Sequence, residues 1–79
     1  MGKRVRLWIR EDGEQPKAVA RDADEAPGPG RLVDVAAPSA DEARRLFRLA
    51  QASEPDRKKD KAGWLAWDEA RDAVQEVTS

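Results

Sequence analysis

Arg4, Arg6, Trp8 and Arg10 recur at every second position near the start of the chain. In an extended strand that spacing projects all four from one side of a sheet. Such a surface has a definite chemistry, in which the indole stacks on a base while the guanidinium groups hold phosphates. The same residues also suit blander arrangements. Trp8 can lie over the arginine stems on a solvated face, with a modest cation–π gain, or it can pack beneath a helix or a second copy of the chain. One strand with one aromatic falls short of the paired aromatic signatures of RNA-binding sheets.

Two further clusters follow. Arg57, Lys58, Lys59 and Lys61 make a basic stretch that can meet phosphates or an acidic protein surface. Asp56 and Asp60 are interspersed, and most such stretches are simply solvated. Trp64 and Leu65 stand beside an acidic stripe of Asp68, Glu69, Asp72 and Glu76, of which Asp68, Asp72 and Glu76 are the candidate contacts. A tryptophan with an aliphatic neighbour is the type of anchor that dominates protein–protein contacts. The other reading folds Trp64 back over the core at a helix start. The acidic stripe could also fill a basic, nucleic-acid-binding groove on another protein.

Enzyme chemistry has little to work with. The chain has no histidine and no cysteine, so the commonest general base, the commonest metal ligand and any thiolate are missing. Ser39 is explained by helix capping. Glu11/Asp12 and Asp41/Glu42 are turn and surface pairs with nothing to raise a pKa. Asp22-Ala23-Asp24-Glu25 begins like a calcium loop, but the third oxygen ligand, the following glycine and the later glutamate are out of place. Gly28 and Gly30 alternate with proline and precede a strand, unlike a phosphate cradle. The sequence therefore predicts no catalytic centre, no metal site and no cofactor.

The elements that position these residues are read from periodicity. Val5, Leu7 and Ile9 alternate with the basic set, which predicts a strand over Lys3–Glu11. Asp12-Gly13 suits a tight hairpin turn, and Lys17–Arg21, opened by Pro16, is its return strand. Residues 22–30 read as a flexible loop. Arg31–Ala52 holds the strongest signal. Leu32, Val33 and Val35 form a strand with the two valines on one face, ended by Pro38. Ser39-Ala40-Asp41-Glu42 is a capping box, and Ala43, Leu46, Phe47 and Ala50 make one helical face. Asp41 and Arg45 form an i, i+4 pair, and Pro55 stops the helix. Residues 53–63 read as a second flexible loop. Trp64–Val77 reads as a helix burying Ala66, Trp67, Ala70, Ala73, Val74 and Val77. A start at Asp68 as N-cap, with Gly63–Trp67 extended, is the alternative.

The order strand, strand, strand, helix, helix predicts a single α+β domain over residues 1–79. Two or three antiparallel strands would be covered by two helices, burying Val5, Leu7, Ile9, Val33, Val35, Leu46, Phe47, Trp67 and Val74. Charged residues make up 39% of the 79, yet Lys+Arg 15 against Asp+Glu 16 leaves a net charge of −1. Mixed signs argue against both a global nucleic-acid magnet and a disordered acidic tail. No apolar run approaches the ~20 residues of a membrane span. Gly2 begins like a myristoylation signal, but Arg6 stands where that signal needs Ser or Thr. A cytoplasmic protein without membrane contact is expected.

These features predict a small non-enzymatic protein-interaction module. An adaptor, a regulatory subunit or an inhibitor would act by occluding a surface of a larger protein or complex. A phage or mobile-element product directed at a host or defence complex is one concrete form, suggested by size alone. The alternative is a nucleic-acid-binding module using Arg4, Arg6, Trp8, Arg10 and the Arg57–Lys61 stretch. A homodimer is also open, because a chain this short buries only about 60–65% of its unfolded surface.

Overall fold

The computed structural model describes residues 3–77; Gly2 lies outside the described residues. The chain folds as α+β. In order it forms β1 (Arg4–Arg10), β2 (Lys17–Val19), β3 (Gly30–Ala36), α1 (Ala40–Gln51), α2 (Lys61–Ala73) and β4 (Val74–Glu76). The four strands make one antiparallel sheet in the order β2-β1-β3-β4.

The β1–β3 ladder sorts side chains as the alternation predicts. Val5 opposes Val35 and Leu7 opposes Val33 on one face, while Arg6 opposes Asp34 and Trp8 opposes Leu32 on the other. Leu7, Val33 and Val35 are fully buried and join Ala37, Ala43 and Phe47 in the core. Val5, Ile9, Leu46, Ala73 and Val74 pack around its edge. β3 starts at Gly30, whose φ of 138° is strained for any L side chain; a Cβ there would collide with the Ile9 carbonyl.

Ser39 caps α1 as expected, its Oγ accepting from the Glu42 amide at 3.2 Å. The acidic side chains of the first turn behave differently from the capping-box reading. Both carboxylate oxygens of Glu42 accept from Arg45, and Asp41 pairs with Arg44 at 2.9 Å rather than with Arg45. A two-pronged, charge-assisted contact outcompetes a single bond to the neutral Ser39 amide.

Several boundaries depart from the sequence reading. β2 ends at Val19 rather than at Arg21. The β1–β2 connection spans residues 11–16, longer than a tight hairpin, with the Asp12 carboxylate taking the Glu14 amide at 3.0 Å. α2 begins at Lys61, earlier than either expected start, because Asp60 caps it by accepting from the Gly63 amide at 3.0 Å. α2 also ends earlier, at Ala73, and Val74–Glu76 becomes a fourth strand, with Val74 opposite Val35 and Glu76 opposite Val33. Unpaired β3 edge groups offer a ladder that outweighs one more helical turn. The sheet thus has four strands rather than two or three.

The buried alternation generates a stability contrast. Leu7→Ala is expected to cost about 2–5 kcal/mol in denaturant unfolding. Leu65→Ala, on an exposed helix face, should stay within about 0.5 kcal/mol of the parent.

Candidate functional site

β2 and β3 flank β1 on opposite sides. The connection between them, residues 20–29, must therefore cross β1 over one of its faces. It crosses the Arg4/Arg6/Trp8/Arg10 face. Arg6 donates to the Ala23 carbonyl, and Trp8 Nε1 donates to the Pro29 carbonyl at 3.2 Å. A Cβ on Gly28 would stand 2.9 Å from the Trp8 ring, so the chain there passes close against the indole.

The charges on this face are matched internally. Arg6 grips both oxygens of Asp34, Nε to Oδ1 at 2.8 Å and NH2 to Oδ2 at 3.0 Å, and Arg4 NH1 reaches Oδ2 at 2.9 Å. Hydrogen bonding from Arg6 holds the Asp34 carboxyl below its ordinary range, against the opposing effect of burial. Arg10 lies over Trp8, 5.0 Å from the ring centroid, and pairs with Asp12 at 2.6 Å. The Glu14 amide and then Arg10 lower the pKa of Asp12. The sequence reading put Asp34 on the strand face opposite Val33 and Val35 but named neither aspartate as a partner of these arginines.

On the other side of the sheet α1 and α2 pack together over the core. Here Trp64 is half-buried and engaged: its Nε1 donates to Glu54 at 2.8 Å, and Arg57 lies 4.6 Å from its centroid. Trp67 is buried, donates to the Ala52 carbonyl at 3.0 Å and carries Arg71 over its ring at 4.7 Å. The two indoles are tilted with centroids 6.3 Å apart. Trp64 thus fastens the interhelix loop to α2.

That loop is a built turn. Asp56 Oδ1 accepts from the Lys58 and Lys59 amides at 2.8 and 2.9 Å, and the Asp60 amide donates to the Asp56 carbonyl at 2.8 Å. Lys58 and Lys59 project from it, and Lys61 stands in the first turn of α2, not in a loop. This basic cluster sits at the helix layer, whereas Arg4, Arg6, Trp8 and Arg10 project from the opposite sheet face, so the two do not merge. Glu76 leaves the acidic stripe altogether: it lies on β4 and pairs with Arg31 at 3.0 Å.

What remains is the outer face of α2. Leu65 is 51% exposed, the one large apolar side chain so open among the described residues. Lys61, Leu65, Glu69 and Asp72 are spaced four, four and three apart and share one helical face, with Asp68 at its margin. Among the described residues, Lys58, Lys59, Lys61, Asp68, Glu69 and Asp72 take part in no ion pair. Beside this face runs a groove of about 260 Å³ between Leu46 and Leu49 of α1 and Ala66 and Ala73 of α2, rimmed by Glu42, Arg45 and Glu69. Leu49 was not singled out from the sequence, although its helical spacing was an available signal; Glu69 was read as part of the acidic stripe but not as a contact residue.

No protein-family model, curated protein or solved structure matches this chain. Among the described residues, no three acidic side chains cluster to hold a metal ion, and no helix is long and apolar enough to cross a membrane.

The Arg6–Asp34 pair predicts a pH signature. A carboxyl lowered in the fold stabilises above its unfolded pKa of about 3.9 and loses that contribution as pH falls toward the folded value. Asp34→Asn should lower Tm at pH 7 by roughly 5 °C, about 1 kcal/mol after solvent screening. In thermal melts the gap between the two proteins should narrow as the pH drops below about 3.9. A gap that stays constant with pH would show that the charge contributes nothing.

Proposed function

We propose that the chain is a small non-enzymatic protein-interaction module that docks on a larger protein through the outer face of α2. The observation that carries this reading is Leu65. The fold buries or half-buries its other large apolar side chains among the described residues, yet holds this one open at 51% on a helix. An isolated exposed leucine is unremarkable by itself. This one is framed by unpaired charges and shares its helical face with Glu69, which rims the groove between α1 and α2, the combination of central anchor and polar rim found at docking faces.

Trp64 supports the same face from below. Held by Glu54 and Arg57, it stiffens the start of α2 and would lower the ordering cost of binding. Asp68, Asp72 and Leu65 would make the direct contacts. Occluding a partner's surface in this way suits an adaptor, a regulatory subunit or an inhibitor.

A nucleic-acid-binding module is the competing proposal, and less supports it. Three of its cations, Arg4, Arg6 and Arg10, are already paired with Asp34 and Asp12. That leaves Lys58, Lys59 and Lys61 as the cations of that set with no acidic or aromatic partner.

Affinity capture from native lysate with the parent and Leu65→Asp as baits separates the two. The expected result is a stoichiometric protein recovered by the parent after nuclease and at raised salt, and lost with Leu65→Asp while the melt is unchanged. Recovery that disappears with nuclease, and whose affinity falls with a log–log salt slope near −0.7 per neutralised phosphate, would transfer the assignment to the basic residues.

A further inference from the structure

Charges are ordered about Leu65. On α2, Lys61 lies four residues before it, Glu69 four after and Asp72 seven after; Lys58, seven before, stands in the turn that leads into the helix. Positive charge on one side thus mirrors negative charge on the other, at the same spacings. A sequence with this inverted symmetry is complementary to itself when two copies run antiparallel.

Part of this order also opposes the helix that carries it. The Asp60 carboxylate at the N-cap and Arg71 in the last turn suit the dipole, but the first turn of α2 contains Lys61 and no acidic residue, and Glu69 and Asp72 fall in its C-terminal half. Cations at the N-terminus and anions toward the C-terminus are disfavoured by the helix dipole. α1 does the reverse, with Asp41 and Glu42 in its first turn and Arg48 in its last. An antiparallel neighbour removes the conflict, since each helix then lays its anions beside the other's N-terminus.

We propose that this face pairs with α2 of a second copy of the chain, antiparallel across a two-fold axis at Leu65. Leu65 meets its own symmetry mate, and Lys61 meets Glu69 of the partner subunit twice over. Ala62 and Ala66 flank the axis and let the helices approach closely. An isologous contact of this kind closes at two and does not propagate. The inference rests on the reading of α2 as a docking face and names its partner. One helix pair is a small interface, so the dimer should be weak, with Kd on the order of 10 µM.

Sedimentation velocity across roughly 1–500 µM spans that range and tests the arrangement with Lys61→Glu, Glu69→Lys and the double variant. The parent should pass from monomer to dimer. Each single reversal should raise Kd about tenfold or more, and the double variant should restore it, because Glu at 61 then meets Lys at 69. Each reversal also brings α2 into agreement with its dipole, so monomer Tm should hold or rise and lost dimer cannot be mistaken for lost fold. A parent that stays monomeric overturns the proposal, as does a double variant that fails to recover. A monomeric parent whose lysate partner still depends on Leu65 overturns self-pairing alone and leaves the docking reading standing.

Discussion

Placing β1 between β2 and β3 is the constraint from which the rest of the molecule follows. Two strands that both pair antiparallel with a third run parallel to one another, and strands running the same way in a sheet must be joined by a crossover. Here the crossover has no helix to shield it; residues 20–29 cross the open face of β1 as irregular chain. Its carbonyls need donors, and Arg6 and Trp8 supply them. A face that looks, by composition, ready for an external polyanion is therefore occupied by the protein's own backbone and by Asp34.

The parts of this arrangement legible in the sequence are those governed by local periodicity. β1, β3 and α1 follow from alternation, from Pro38 and from Ser39, and the two faces of the central ladder came out with the right members. β4 was hidden because Ala70, Ala73, Val74 and Val77 continue a helical repeat, and three residues are too few to show a period of two. Only the unpaired edge of β3, distant in sequence, decides that Val74 leaves the helix. The start of α2 was hidden for a different reason. Asp60 sits among lysines, where it reads as one more solvated charge, and Gly63 looks like a terminator although its amide fills the cap.

The candidate site divides along the same line. That Leu65 lies outside the apolar sector of its helix was visible from spacing. That Trp64 is fastened by Glu54 and Arg57 was not, since it depends on how the interhelix loop turns back, which Asp56 decides by binding two amides. Charge identity was a poor guide to availability. The three arginines of β1 are matched, whereas the three acidic residues of α2 are in no ion pair. Desolvation explains the difference: groups close to the sheet must be paired to be tolerated there, while those on the outer face of a helix remain solvated at no penalty.

α2 passes into β4 without a single intervening residue, Ala73 ending one and Val74 opening the other. A loop at this junction would have let the helix swivel on the domain. Its absence makes helix and sheet one lever, with the fulcrum at the β3–β4 ladder. Force applied to the outer face of α2 is delivered to backbone hydrogen bonds at the sheet edge. α2 is in this sense an extension of the sheet's last strand, and a load on the one strains or steadies the other.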